Sequence, residues 1–264
     1  MNAARYAKLL WVQARASFAT SMQYRIDFFV QGAMSLFWLG WHLIPLVILF
    51  DRRESVAGWS FDEALVVIGW FTALRGLLDG VINPSLVDTV DRIRTGSFDY
   101  VLLKPADAQF LVSTARFQPW KVVDVAGGMT VIAIALTRLG RAPSAAELAV
   151  GAAMMAASTA MLYALWMIVV SLAFWVVKLD NLTYMFSAVF DAARWPVHVF
   201  RGAWRFVFTF VLPLAVMTTY PAMALLGTLR ATTALWSAAG ALAALALSRA
   251  VWRAAIATYT SASS

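Results

Sequence analysis

An all-α protein built from several bilayer-spanning helices is the fold class this sequence predicts, on three observations. Hydrophobic residues fill 62% of its 264 positions and charged residues only 13%, about half the charge a soluble domain carries. Its apolar stretches approach or exceed the ~20 residues a helix needs to cross a bilayer. None alternates apolar with polar residues as the strands of a membrane barrel do. Six spans are expected, in one transmembrane domain covering residues 1–264.

Residues 1–25 read as an amphipathic helix lying flat in the interface. At 100° per residue Arg5, Lys8 and Arg15 share a stripe opposite Leu10, Trp11, Ala14 and Phe18. No small-residue cleavage site closes the apolar run that follows, so no cleaved signal is expected. Ile26–Phe50 is the first span, with Pro45 near its far end. Asp62–Ile82 is the second, ended by Asn83-Pro84. It carries Arg75 and Asp79, four apart and able to pair, and a GxxxG of Gly76 and Gly80 that allows close helix approach and is assigned to dimer packing.

A polar island follows within 83–119, its centre reading DTVDRIRTGSFDYVLLKPAD from Asp88 to Asp107. Trp120–Leu139 and Leu148–Val177 are the third and fourth spans, and Ala234–Arg253 is the last. Between them 182–227 is ambiguous, because Asp191, Arg194, Pro196, His198, Arg201 and Arg205 interrupt it, and Pro213 and Pro221 divide its second half. Either 182–200 spans and a re-entrant hairpin follows within 201–230, or 182–205 is interfacial and 206–227 spans. With both termini inside, the hairpin arrangement puts twelve Lys and Arg on the inner side and eight outside, with Arg75 within a span. Moving Arg194, Arg201 and Arg205 inward would strengthen that bias, so charge alone favours the second arrangement.

The net charge of +7 is spread over many short loops, not gathered into a nucleic-acid footprint. There is no phosphate-binding GxxxxGK[ST], no HExxH or GxSxG, and no cysteine; His42 and His198 stand alone. No enzymatic centre, resident cofactor or metal site is therefore expected. What remains is carriage of a solute, powered by an ion gradient or by an ATPase. A gradient-driven carrier could use Arg75, Asp79 and Asp124 as an ion relay, but paired broken helices in the two halves are not visible. The island favours a partner instead. A short helix over Val87–Arg94 would present Asp88, Asp91, Arg92 and Arg94; Gly96 allows a sharp turn; Phe98, Tyr100, Val101, Leu102 and Leu103 offer an apolar plug.

The stretch IRTGSFDYVLLKPAD resembles the cytoplasmic signature of type-2 ABC transporter permeases, closest to a subfamily of similar length that includes viologen-exporter-like permeases. The basic N-terminal helix, the segment RWPVHVFRGAWRFVFTFVLPLAVMTTYPA, and Trp252 with the TYTSASS tail are similar to that subfamily too. Ala106 departs slightly, standing where larger apolar residues are common.

This resemblance implies a six-span permease half with a coupling helix in its first large cytoplasmic loop and re-entrant helices before the last span, which ranks the hairpin arrangement first. The implied coupling residues are Asp91, Arg92, Arg94, Gly96, Phe98, Asp99, Leu102, Leu103, Lys104 and Pro105. Implied partners are two ABC ATPase subunits, which would bind the ATP and Mg, and a second permease subunit, a paralogue or a second copy. The expected setting is the bacterial cytoplasmic membrane, with both termini cytoplasmic. An amphipathic small molecule or lipid-like solute would be exported past Phe37, Trp38, Trp41, Trp70 and Phe71, the candidate cavity wall.

Overall fold

The computed structural model describes residues 3–23, 25–175 and 187–259. Among them five helices are long and apolar enough to cross a membrane: Arg25–Phe50, Phe61–Arg94, Pro119–Arg138, Ala145–Phe174 and Ala231–Ala257. The described residues form no strand beyond an isolated Val56–Trp59 bridge. The chain is an all-α polytopic membrane protein. Residues 176–186, which hold the end of the expected fourth span, the turn after it and the start of the expected fifth, and the tail 260–264 lie outside the described residues.

Helix α1 (Ala3–Gln23) buries none of its own residues, yet it is tied to the island. The Tyr6 hydroxyl accepts from the Asp107 amide at 3.2 Å, the Ser17 hydroxyl accepts from the Phe117 amide at 3.1 Å, and Thr114 donates to Gln13 at 2.6 Å. Helix α2 (Arg25–Phe50) buries only Ser35 and Leu46 and turns Phe29, Phe37, Trp41 and Val47 outward.

Helix α3 (Phe61–Leu77) starts at a reciprocal cap between Ser60 and Glu63. Contrary to expectation, it does not stop before Asn83-Pro84. It passes through a π turn at Leu78–Ile82 into α4 (Asn83–Arg94) as one 34-residue helix. Pro84 has no N–H for the Gly80 carbonyl four residues earlier. That carbonyl instead accepts from the Gln118 amide at 2.8 Å, and the widened turn makes room for the ring. The same device recurs: π turns at Val207–Val211 and Ala215–Thr219 each end two residues before a proline, Pro213 and Pro221. A helix of 34 residues is ~50 Å long against a ~30 Å hydrocarbon core, so α4 stands clear of the bilayer. It supports the island's short helices α5 (Asp99–Leu102) and α6 (Ala108–Ser113).

Helix α7 (Val122–Arg138) lies against α3 backbone to backbone. A Cβ on Gly128 would come within 2.6 Å of the Ala73 nitrogen, and one on Gly69 within 2.7 Å of the Gly128 carbonyl oxygen. Neither neighbour is a side chain that could swing away. Gly128→Val is therefore expected to cost more than the roughly 1–3 kcal/mol of ordinary overpacking and to yield aggregated protein on size-exclusion chromatography in detergent. A monodisperse variant would refute the close approach.

Helix α8 (Ala145–Ser171) packs along α11 (Ala231–Ala257). Between them the chain makes two short legs, Gly202–Phe206 (α9) continuing into the π turn to Val211, and Ala215–Thr219 continuing into α10 (Tyr220–Leu225). Each leg is ~15 Å long, too short to cross. Residues 187–200 are broken as well, with 3₁₀ turns at Asp191–Arg194 and Val197–Val199. Non-helical backbone at membrane depth must be satisfied from within the protein. Here the Thr218 hydroxyl donates to the Ala193 carbonyl at 2.7 Å and the Thr219 hydroxyl accepts from the Val197 amide at 3.0 Å. The second leg holds the broken stretch in place.

Two ion pairs mark the ends of the bundle. Arg138 meets Asp62 at 2.9 Å on the face away from the island. Arg249 meets Asp107 at the island, so α1, the island and the end of α11 share one face.

Candidate functional site

The island has a buried root and an exposed crest. After α4, Thr95 caps the helix and Gly96 takes φ +74°, a left-handed turn that glycine adopts without strain. The reversal drives Phe98 inward until it is fully buried. There its ring meets Phe174 at 5.4 Å, Trp252 at 6.0 Å and Tyr259 at 5.4 Å, all edge-on. Phe174 closes the fourth span and Trp252 lies near the end of α11, so one side chain joins the island to two spans. Val101, one turn on, is buried beside it. The expectation of one exposed FDYVLL plug is therefore corrected: short helix α5 alternates faces, sending Phe98 and Val101 inward. Tyr100 and Leu103 remain 69% and 79% exposed, and Leu102, Lys104 and Pro105 also face out.

Charge fixes the root further. Asp88 takes Arg92 at 2.6 Å and Arg116 at 2.9 Å. Arg249 donates to Asp107 at 3.0 Å and to Gln109 at 2.7 Å. The guanidinium of Arg249 holds the Asp107 carboxyl below the usual carboxylate range, against the opposing effect of its partial burial. Burial raises the Tyr259 phenol, helped by the neighbouring Asp99 carboxylate. Asp91 and Arg94 pair at 2.8 Å on the exposed side.

The second constellation lies inside the bundle. Arg75 and Asp79 do pair, at 3.0 Å, but Arg75 also donates to Asp191 at 2.5 Å. Lys121 lies 3.8 Å from Asp79 and 2.9 Å from Asp124, and Arg194 lies 3.8 Å from Asp191. Three cations thus face three carboxylates. The hairpin arrangement counted Arg194 among outer charges; the structure places it in this network, over the Phe71 ring. A cavity of about 330 Å³ opens onto the network and is lined further by Ser35, Trp38, His42 and Thr72.

Two assignments meet a different geometry within this chain. Gly76 and Gly80 are not a free face: a Cβ on Gly76 would lie 2.9 Å from Asp124 and one on Gly80 2.9 Å from Lys121, because α7 and the Pro119–Lys121 turn before it already fill that groove. The five aromatic residues do not converge on one cavity. Trp70 and Phe71 are buried in separate core clusters, Phe37 and Trp41 point outward, and only Trp38 reaches the charged cavity. Consecutive positions on a helix diverge by 100°, which sends Trp70 and Phe71 to different clusters.

Sequence reasoning missed Asp191 as a partner of Arg75 and Phe174 and Tyr259 as the socket for Phe98. One signal for Asp191 was present: a single carboxylate between long apolar stretches needs an intramembrane cation. A family model described as "ABC-2 family transporter protein" matches residues 36–263. No curated protein and no solved structure matches the chain.

Proposed function

Because the chain belongs to the ABC-2 family of transporter proteins, whose permeases work with an ABC ATPase component, we propose that it is the membrane half of an ATP-driven exporter. In this reading the island faces the cytosol and is the handle on which a separate ATPase pushes. Two ATPase copies and a second permease subunit complete the assembly, and an amphipathic or lipid-like solute is the cargo. One observation carries the proposal: the crest around Tyr100 and Leu103 is exposed and apolar, while its root at Phe98 is locked to the ends of two spans. A soluble partner gripping that crest would move the ends of α8 and α11 directly. Such rigid-body coupling suits alternating access between two bundle arrangements.

Asp91, Arg92, Arg94, Asp99, Lys104 and Pro105 are assigned the charged and rigid rim of the grip. Phe98 and Gly96 are assigned its transmission, the one as anchor and the other as the bend that seats it. The test is reconstitution in vesicles. The chain alone is expected to move no solute uphill, and addition of the ATPase that copurifies from native membranes with MgATP is expected to start transport. Uphill movement by the chain alone under an ion gradient would overturn the proposal and favour the carrier reading.

A further inference from the structure

On the face opposite the island, two hollows share a wall. The first is a cavity of about 760 Å³ into which Arg53, Arg201 and Arg205 project, with His198 behind them and no carboxylate in its lining. Among the described residues none of these three arginines has an ion pair. The second is an apolar groove of about 560 Å³ along α2, lined by Pro45, Ile48 and Trp195. Leu49, Val199 and Phe200 form the partition and line both.

The walls are built and not merely adjacent. The Val56–Trp59 turn closes through paired backbone hydrogen bonds of 2.9 and 3.0 Å. Trp59 then donates its indole N–H to His198 at 3.4 Å, tying that turn to the 198–205 segment. Along α2 the groove reaches back from Leu49 to Pro45, ~6 Å further from the loop that carries Arg53. A polar, cationic end therefore lies nearer the loop, and an apolar channel runs from it towards the membrane interior.

We propose that this double hollow binds an anionic glycerophospholipid, with the phosphate among Arg53, Arg201 and Arg205 and an acyl chain in the Pro45–Phe200 groove. Charge complementarity selects the head, since guanidinium forks match phosphate oxygens. The apolar groove selects a lipid over a free anion, because only a lipid covers both surfaces. The inference concerns binding and holds whether or not the exporter reading does.

The test uses the full chain in nanodiscs of phosphatidylcholine with and without phosphatidylglycerol, read by native mass spectrometry of retained lipid. Wild type is expected to keep phosphatidylglycerol in preference to phosphatidylcholine. R201Q/R205Q is expected to lose that preference about tenfold, while R52Q/R230Q, whose arginines lie outside the cavity, keeps it. Unchanged preference in R201Q/R205Q would overturn the proposal. So would inorganic phosphate stabilising the wild type against heat as well as phosphatidylglycerol does, which would mark a free-anion site. A photoactivatable phosphatidylglycerol on the wild-type chain gives a readout free of any variant's folding. Its crosslinks are expected within 45–53 and 195–205, and crosslinks confined elsewhere would refute the site.

Discussion

Replacing Arg75 by leucine is expected to destabilise the protein in detergent by roughly 3–5 kcal/mol, the cost of leaving partly buried carboxylates without their cation. Asp79→Asn is expected to cost far less. The asymmetry follows from the distances. Arg75 makes both close contacts of its corner, 3.0 Å to Asp79 and 2.5 Å to Asp191. Without it those acids keep only Lys121 and Arg194, each 3.8 Å away. Without the charge of Asp79, Arg75 still has Asp191 and Lys121 still has Asp124 at 2.9 Å. Arg75→Lys is expected to fall between, since an ammonium cannot fork between two carboxylates as a guanidinium does. Thermal unfolding of the three variants gives the ranking, and transport by those that fold gives the second reading. If Asp79→Asn abolishes transport without loss of stability, the charges form a relay and not a structural clamp.

The class of fold was legible because it depends on summed hydrophobicity, and length and charge fix that without knowledge of contacts. The capping boxes at Ser60 and Ser144 are local signals too, although the expected starts at Asp62 and Leu148 do not rest on them. What was not legible depends on partners far along the chain. Pro84 looks like a helix end until Gln118, 34 residues on, supplies the missing hydrogen bond to Gly80. Gly76 and Gly80 form a small-residue face in any reading, but nothing in a GxxxG says whether the approaching helix belongs to the same chain. The island's apolar run was visible as a run. Its division into Phe98 and Val101 inside, with Tyr100 and Leu103 outside, depends on the left-handed turn at Gly96 and on aromatic partners more than seventy residues downstream.

That division predicts two different ways to break the machine. The double variant Tyr100→Ser/Leu103→Ser removes exposed apolar surface only, so its stability is expected to stay within about 0.5 kcal/mol of wild type. Its affinity for the copurifying ATPase is expected to fall ~30-fold or more, since apolar anchors at the centre of an interface typically carry 2 kcal/mol or more. Phe98→Ala is expected to act from the other side. It empties a socket walled by Phe174, Trp252 and Tyr259 and should lower stability by about 3–5 kcal/mol. Phe98→Leu is the discriminating variant, because it fills most of the socket but lacks the ring edges that link the ends of α8 and α11. It is expected to bind the ATPase normally and still transport poorly, with hydrolysis uncoupled from movement of solute. Pull-down, nucleotide hydrolysis and vesicle transport on the same preparation separate the two effects. If the crest variant binds the ATPase as wild type does, the island is not the handle; if Phe98→Leu transports normally, the socket does not carry the push.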